Sequence, residues 1–299
     1  LNVGTYRMMQ HSKNEVGLHL SPGKDARLHI ERAWERGESV PVAACWGVDP
    51  LFMLVGSQGF PKNISEYEYI GGLKGQAVPV VKAKNSDLLI PANADLMIEG
   101  VIEPQAVRAE GPFGEFTNFG FGAEGPAPVF TCSAITHRKD PIFRHMQATW
   151  FTDHQPLITL PMEATYYNRL RETQGNTNVL DVFVPPWASQ FLMIVQVEAK
   201  WDGQVNDMLM AALSGPNLHV KTVIAVDEDV DIYNAEDVLW AMSTRVDPAQ
   251  HVKIQTDCRL HPLDAVIPEV GDEYTVMRIG GKMGIDATKP PTWRAESRE

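Results

Sequence analysis

The chain has 299 residues, of which 44% are hydrophobic and 21% are charged, a composition typical of a soluble globular protein with one large or two medium domains. Its formal net charge of -12 disfavours nucleic acid or an anionic membrane surface as the main partner, because like charges repel. Three widely separated cysteines without a CxxC pair support neither a zinc cluster nor a disulfide framework, and they fit a reducing cytoplasm.

The sequence has no apolar run near the roughly 20 residues that cross a bilayer, and no signal segment at its start. We therefore expect a protein that is not exported. An informative segment begins at once at Asn2, so we also expect that a portion upstream of Leu1 is missing and that the chain is shortened at its C-terminal end.

The first quarter of the sequence predicts helices with one strand among them. An amphipathic helix over 25–37 starts with Asp25 as its N-cap and ends at a glycine, and Asp49 caps a short helix over 50–55. A buried strand is predicted at 40–46 and another helix at 65–73.

The pattern then changes twice. Residues 77–145 contain short apolar or alternating runs separated by Gly, Pro and Asn, which is typical of an antiparallel sheet or barrel. The strands predicted there cover 78–83, 88–91, 95–102 and 128–137. Strands and helices alternate afterwards, which indicates an α/β layer domain. Its predicted helices cover 163–172, 205–213 and 235–245, and its strands cover 179–184, 192–197 and 221–226.

A domain boundary is predicted near residue 155, because Asp-His-Gln-Pro interrupts the sheet pattern before the next helix. The chain is thus divided into a domain over 1–155 and a domain over 156–299. The fold class expected from the order of elements is α+β, with a mainly antiparallel first domain and an α/β second domain.

Two carboxylates stand five residues apart in Glu110-Gly-Pro-Phe-Gly-Glu115, where Gly and Pro prevent a regular helix. If their pKa values separate, one donates a proton while the other stays ionised. A plain turn with solvated ends is the competing interpretation, favoured on spacing alone. In Asn2-Val-Gly-Thr-Tyr-Arg7, an amide oxygen that suits a hard cation precedes a guanidinium that binds a carboxylate.

Together with Gly-Lys-Met-Gly-Ile-Asp-Ala-Thr at 281–288, these two segments resemble the UbiD-type decarboxylases across essentially the whole chain. The resemblance implies a split-barrel domain that binds prenylated FMN and an α/β domain that closes over the substrate. Arg7, Glu110 and Glu115 match the family's catalytic network, in which Glu115 delivers the proton after CO2 leaves. The implied enzyme is a carboxy-lyase for aromatic or heteroaromatic acids, reversible and non-oxidative.

The resemblance also implies how the cofactor is held. Asn2 and Glu66 match ligands of a divalent Mn or Mg ion, and a potassium ion is allowed as well. Lys24 stands where some relatives have a metal-ligating His, so it would contact phosphate instead, and His19 is the alternative ligand. The cofactor-binding positions implied as a set are Asn2, Tyr6, Arg7, Lys24, Ser57, Gln58, Glu66 and Lys221.

The substrate pocket is expected to be apolar and aromatic, with walls around Trp150, 157–161 and 263–267. The remaining histidines of the middle region, His137, His145 and His154, lack ligand spacing and are interpreted as polar core or rim residues. The acidic run at 227–231 lacks the spacing of an EF-hand and is interpreted as solvated charge at a strand end.

The implied partners are a small aromatic carboxylic acid, CO2, a flavin prenyltransferase that supplies the cofactor, and a second copy of the chain in a homodimer or larger homo-oligomer. Three alternatives stay open: a quinone-pathway decarboxylase acting on a prenylated 4-hydroxybenzoate, a split-barrel oxidoreductase that transfers hydride with ordinary FMN, and a flavin-binding protein without catalysis.

Overall fold

The structure is a computed structural model that describes residues 2–20, 24–60, 64–117, 120–121, 125–144, 146, 154–173, 175–176, 178–201, 203–215, 217–270, 277–290 and 293. The chain divides into two compact units. Unit 1 consists of Leu1–Gly114 and Gly120–Gln147, and unit 2 consists of Glu115–Phe119 and Ala148–Glu299. The segment that carries Glu115 therefore belongs to unit 2, although its neighbours in sequence belong to unit 1.

The described residues of unit 1 form ten strands, most of them short, and three helices. Its strands are β1 (Met8–Gln10), β2 (Glu15–Leu18), β3 (Val40–Trp46), β4 (Val80–Lys82), β5 (Leu89–Pro91), β6 (Leu96–Ile102), β7 (Val107–Glu110), β8 (Phe113–Gly114), β9 (Gly120–Phe121) and β10 (Gly125–His137). Its helices are α1 (Asp25–Glu35), α2 (Leu51–Gly56) and α3 (Glu66–Lys74).

The main sheet of unit 1 is antiparallel. Its strand order is β1-β2-β10-β6-β3, and β7 pairs with the first part of β10. The core against this sheet includes Ile102 and Phe130 from the strands and Ile30 from α1. Because β10 is long, it brings β2 and β7 to the same region, which places Gly17 and Glu110 near each other.

Helix α3 begins with a capping box that the sequence spells out. The Ser65 hydroxyl accepts the Tyr67 N–H, and the Glu68 carboxylate accepts the Ser65 N–H. Gly75 closes the helix in the left-handed conformation, at a φ of 68°. This rigid start fixes the position of Glu66 in the first helical turn.

Helix α1 departs from the prediction at its N-terminus. Lys24 is the N-cap residue, and Asp25, expected to be the cap, lies in the first turn instead. A carboxylate in the first turn still interacts favourably with the helix dipole, so the stabilising role of Asp25 changes from hydrogen bonding to charge.

Unit 2 is built around a second sheet. Its strands are β11 (Val179–Phe183), β12 (Leu192–Val197), β13 (Thr222–Asp227), β14 (Val252–Leu260), β15 (Glu269–Val270) and β16 (Met277–Asp286). Its helices are α4 (Gln155–Asn168), α5 (Gln204–Leu213), α6 (Ala235–Arg245) and α7 (Pro248–His251). None of the described helices is long and apolar enough to cross a membrane.

The sheet of unit 2 is mixed, with the order β11-β12-β13-β16-β14 and β15 on β16. β12, β13 and β16 are parallel to one another, while the outer strands run antiparallel. Helices cover both faces, as buried parallel strands require. One core contains Met162 from α4 and Leu209 from α5, and the other contains Ala241 from α6.

The predicted start of the helix at 163 is wrong, because α4 begins at Gln155 and continues into a π-helical turn at Arg169–Thr173. Pro161 lies inside this helix. Proline removes one helical hydrogen bond, but burial of Met162 and Tyr166 in the core compensates for that loss.

The interpretation of the acidic run at 227–231 as solvated charge holds for the exposed Glu228, Asp229 and Asp231, but it is wrong for Asp227 at the end of β13. Asp227 is buried and lies 3.2 Å from Nη1 of Arg245, and Asp229 binds both terminal nitrogens of the same guanidinium. A buried carboxylate needs such a partner, and Arg245 on α6 therefore ties the helix to the end of β13.

Candidate functional site

Glu66 receives two hydrogen bonds from the start of the chain. The Asn2 side-chain amide donates to Oε1 and the Val3 N–H donates to Oε2, both at 3.0 Å. Glu66 is only 7% exposed, so these donors satisfy a carboxylate that water hardly reaches. Two segments separated widely in sequence are thereby joined at one polar point in unit 1.

Tyr6 lies over the same segment. A Cβ at Gly4 would stand 2.3 Å from the Tyr6 hydroxyl, so only glycine allows this close approach. Burial raises the pKa of Tyr6 to about 12, and the charges of Glu66 and then Asp25 add to the effect. The phenol therefore stays protonated at neutral pH and is available as a donor beside two acids.

The C-terminal end of α2 carries Ser57 and Gln58. The Ser57 hydroxyl donates to the Leu54 carbonyl at 3.0 Å and accepts from the Gln58 amide at 3.1 Å. Gly56 has no side chain, and its backbone carbonyl accepts a hydrogen bond from the Thr5 N–H. Ser57 thus has a structural role as the C-cap residue of α2. Lys24, at the start of α1, is exposed.

Arg7 immediately precedes β1 and lies over a ring. Its guanidinium carbon is 4.6 Å from the centroid of Phe113, a cation–π distance. Burial lowers the pKa of Arg7, and the carboxylate of Glu110 opposes that shift. Arginine remains charged throughout, so unit 1 places a cation and a buried carboxylate within electrostatic reach of each other.

Glu110 ends β7 with its side chain almost fully buried. His19 Nδ1 lies 3.3 Å from Glu110 Oε2, while the side-chain exposures of the two residues are 40% and 1%. The separation is an ion-pair distance, and the two groups form no hydrogen bond. His19, expected as an alternative metal ligand, contacts Glu110 in this structure.

Glu115 is 7% exposed and is anchored in unit 2 by the next residue. The ring of Phe116 lies 6.2 Å from Phe191 and 6.3 Å from His219. His219 in turn stacks on His261 at 3.6 Å. The segment of the second glutamate is therefore held by an aromatic cluster that was not predicted from the sequence.

Lys221 precedes β13 and forms an ion pair. Its Nζ lies 2.9 and 2.7 Å from the two oxygens of Asp264, which is 2% exposed, and 5.1 Å from the centroid of Phe191. Asp264 belongs to the loop at 263–267 that the sequence assigned to the substrate wall. The other wall segment, 157–161, lies in α4, and Trp150 is outside the described residues.

Unit 1 thus brings Asn2 together with Glu66, and Arg7 together with Glu110. Glu115 and Lys221 belong to unit 2. Among the described residues, no group of three or more His, Cys, Asp and Glu side chains has the geometry of a metal site. An amide oxygen at Asn2 and a carboxylate at Glu66 are nevertheless the hard donors that Mg²⁺ and Mn²⁺ prefer.

The histidines set aside in the sequence differ in position. His137 is exposed and its Nδ1 lies 2.6 Å from the Arg138 carbonyl oxygen, and His154 is the half-buried N-cap residue of α4. His145 is outside the described residues. The contact of His19 with Glu110 was not predicted from the sequence, although pairing of β1 with β2 across the turn at 11–14 places His19 opposite Arg7.

Comparison with known families accounts for nearly all of the chain. Residues 1–150 match the domain described as the 3-octaprenyl-4-hydroxybenzoate carboxy-lyase Rift-related domain, and residues 155–287 match the C-terminal domain of the same carboxy-lyase. The two matches together place the chain in a carboxy-lyase family. The chain belongs to the UbiD family.

Curated relatives include a phenolic acid decarboxylase of Bacillus subtilis, 33% identical over 97% of this chain and 60% of the relative. An uncharacterized protein of Archaeoglobus fulgidus is 32% identical over 100% of this chain and 60% of its own length. The chain therefore spans about three fifths of the length of these relatives.

Solved structures give the same result. The UbiD-class enzyme HmfF from Pelotomaculum thermopropionicum, in complex with FMN, is 28% identical and superposes with a TM-score of 0.86 over 100% of this chain and 64% of HmfF. The vanillic acid decarboxylase of Sedimentibacter hydroxybenzoicus, in its open form, is 32% identical with a TM-score of 0.82 over 96% and 60% of the two chains.

Proposed function

We propose that this chain belongs to a carboxy-lyase that reversibly and non-oxidatively decarboxylates an aromatic or heteroaromatic acid with prenylated FMN. The observation that carries the proposal is the buried carboxylate of Glu110 within electrostatic reach of Arg7. Phenolic acid and vanillic acid decarboxylases among the relatives support an aromatic substrate, and complexes of HmfF with FMN and with prFMN support the cofactor.

The cofactor is assigned to the domain over 1–155, whose antiparallel sheet we interpret as a split barrel. When bound, the cofactor would supply a sink for the electron pair that CO2 leaves behind on the substrate. The residues proposed to hold it are Asn2, Tyr6, Arg7, Lys24, Ser57, Gln58, Glu66 and Lys221. Asn2 and Glu66 supply oxygen donors for a Mn or Mg ion, and potassium is a further candidate cation.

The residues of this chain fit prenylated FMN because they offer hydrogen-bond donors and accessible backbone. Tyr6 keeps its proton, Ser57 offers a hydroxyl at a helix end, and Gly56 lets backbone approach closely. Among the proposed cofactor-binding residues, Lys221 has the weakest support, because its ammonium group already forms an ion pair with Asp264. For Lys221 to contact a phosphate, the ammonium must serve both anions.

The protein groups have separate tasks in the proposed reaction. Arg7 holds the substrate carboxylate by two parallel hydrogen bonds, and Glu110 keeps the guanidinium oriented. Glu115 delivers a proton to the carbon from which CO2 departs. Decarboxylation of a carboxylate consumes one proton in each turnover, and the reverse reaction releases it. The domain over 156–299 is proposed to close over the substrate and exclude water.

The proposed partners follow from the same chemistry: an aromatic acid and CO2, a flavin prenyltransferase as the source of cofactor, and another copy of the chain in a homodimer or larger homo-oligomer. An evolved dimeric form of HmfF is among the related structures. We propose that the protein is cytoplasmic. Its net charge of -12 disfavours binding to nucleic acid or to an anionic membrane surface.

The test is to produce the protein alongside a flavin prenyltransferase and measure CO2 released from a panel of aromatic acids. Release from at least one acid, with a cofactor whose mass is that of prenylated FMN, supports the proposal. Plain FMN that NAD(P)H bleaches, without CO2 release, supports the hydride-transferring oxidoreductase instead. Preference for a prenylated 4-hydroxybenzoate identifies the quinone-pathway alternative.

A further inference from the structure

Two glutamine side chains form a buried polar pair in unit 2. Gln155 begins α4 and Gln190 lies just before β12, and both are 1% exposed. Nε2 of Gln190 donates to Oε1 of Gln155 at 2.8 Å, and Nε2 of Gln155 lies 3.2 Å from Nε2 of His154. An amide nitrogen only donates hydrogen bonds, so the ring nitrogen of His154 is the acceptor in this contact. The orientation of both amides is thereby fixed.

This orientation leaves one acceptor in the interior of unit 2. Oε1 of Gln190 is buried and has no hydrogen-bond partner among the described residues. A buried amide oxygen without a donor is unfavourable, and an apolar side chain of the same size would fill the core without that cost. A ligand with an O–H group would supply the missing donor, whereas a ligand with fluorine at the same position would not.

The backbone holds Gln190 in a conformation that side chains other than glycine rarely adopt. Ser189 has a φ of 54° and Gln190 a φ of 64°, so two consecutive residues lie in the left-handed region. Such backbone strain persists only where the surrounding structure stabilises it, and it is concentrated at binding and catalytic sites. The turn therefore favours a functional role for the Gln190 side chain over a role in packing alone.

Gln190 also lies beside the segment that carries Glu115. The next residue, Phe191, has its ring 6.2 Å from that of Phe116, and Phe116 directly follows Glu115. These residues all belong to unit 2. Helix α4, which contains the predicted substrate wall at 157–161, begins at the other glutamine of the pair. The buried acceptor is therefore in the part of unit 2 that the proposed reaction uses.

We propose that Oε1 of Gln190 accepts a hydrogen bond from a ring hydroxyl of the aromatic acid. The inference rests on the proposed function and narrows its substrates to hydroxylated aromatic acids. Gln155 is a positioning residue, because its Oε1 engages the Gln190 nitrogen and leaves the Gln190 oxygen for the substrate. No covalent bond changes at this contact, so Gln190 contributes to binding and orientation of the ring and transfers no proton.

The test measures dissociation constants of the holoenzyme by isothermal titration calorimetry. The ligands are the three isomers of hydroxybenzoic acid and the matching isomers of fluorobenzoic acid, because fluorine is similar in size to a hydroxyl but cannot donate a hydrogen bond. Wild type is expected to bind at least one hydroxy acid about 10-fold more tightly than its fluoro counterpart. Gln190→Met should remove that preference. Gln196→Met, which removes a β12 glutamine outside the pair, is the control and should keep it.

The positioning role of Gln155 has its own pair of variants. Gln155→Glu keeps an oxygen that accepts from Nε2 of Gln190, so it should retain the preference for a hydroxyl. Gln155→Met removes that oxygen and should weaken the preference, because the Gln190 amide can then turn its nitrogen towards the ligand. Equal preferences in these two variants contradict the positioning role.

Three results overturn the proposal for Gln190. The first is equal binding of hydroxy and fluoro acids by wild type for every isomer, which counts whether or not Gln190→Met folds. The second is an unchanged preference in Gln190→Met, and the third is an equal loss in Gln196→Met.

Binding is measured without turnover, so this inference and the proposed function can fail separately. A preference for a hydroxyl that depends on Gln190, without CO2 release from any acid, supports the binding site and contradicts the proposed reaction. CO2 release by an enzyme that lacks this preference contradicts the role of Gln190 and leaves the proposed reaction intact.

Discussion

The amide of Asn2 donates a hydrogen bond of 3.0 Å to Oε1 of Glu66, across 64 residues of sequence. The bond matters because Asn2 and Glu66 are also the two oxygen donors proposed for a divalent cation. Binding of a cation would require the Asn2 amide to turn its oxygen towards the metal. In the proposed function, the same two residues would hold the start of the chain in one state and a cation in the other.

Replacing Glu66 should therefore reduce cofactor retention. Glu66→Ala removes the carboxylate, and we expect the molar ratio of flavin to protein after gel filtration to fall at least about fivefold, a loss near 1 kcal/mol of binding. Glu68→Ala, in the same helical turn, serves as the control, because Glu68 only completes the capping box. Equal flavin retention in Glu66→Ala and wild type would contradict a role for Glu66 in holding the cofactor.

The ion pair between Lys221 and Asp264 should contribute to the stability of unit 2. Lys221→Met leaves a buried carboxylate without its cation, so the free energy of unfolding should fall by about 3 kcal/mol. Lys200, whose pair with Glu198 is exposed on both sides, provides the control, and Lys200→Met should change stability by less than about 1 kcal/mol. Urea unfolding of the two variants checks the difference, and equal effects would refute the buried pair as the cause.

Glu163 should make stability depend on pH. Burial raises its pKa to about 7; the Val184 N–H opposes this shift and Asp181 adds to it. Because the folded-state pKa exceeds the usual value of 4.5, the stabilisation is complete below pH 4.5 and is lost as pH rises through about 7. Relative to Glu163→Gln, wild type should lose about 1 to 2 kcal/mol between pH 5 and pH 8. A difference between the two proteins that is constant over this range would be the contrary result.

Gly100 should not tolerate a side chain. An added Cβ would stand 2.5 Å from the Thr131 carbonyl oxygen, which belongs to the backbone of the neighbouring strand and cannot move aside cheaply. Gly100→Ala is expected to lower the free energy of unfolding by about 2 to 3 kcal/mol. Gly72 in α3 meets nothing within 4 Å, so Gly72→Ala should be stabilising by about 1 kcal/mol. Thermal melts of both variants test this contrast in sign.

Local signals predicted much of the fold. Helix α6 and strands β3 and β12 have the predicted bounds, because each combines a clear apolar period with turn residues at its ends. Strand β14 was not predicted, since its residues are largely exposed and its pairing with β16 depends on a segment far along the sequence. The start of α4 was predicted too late, because burial of its residues in the core stabilises the helix through Pro161, where local propensity disfavours a helix.

Some residues of the candidate site were predicted from the sequence, and their contact partners were not. Arg7, Glu110 and Glu115 were selected through the joint resemblance of three motifs to one family, since the spacing of the two glutamates alone favours a plain turn, and their catalytic role stays a prediction. Partners supplied by other parts of the fold were not predicted, namely His19 beside Glu110 and Asp264 beside Lys221. Neither contact leaves a periodic trace in the sequence, because each depends on the packing of separate strands and loops.

The most direct test of the proposed chemistry is the release of CO2 by Glu115→Gln, measured beside wild type at equal content of prenylated FMN. Glutamine keeps the size of the buried side chain but cannot deliver a proton. The account predicts that wild type releases CO2 from an aromatic acid and that Glu115→Gln retains the cofactor while its turnover stops. Undiminished turnover in Glu115→Gln would contradict it.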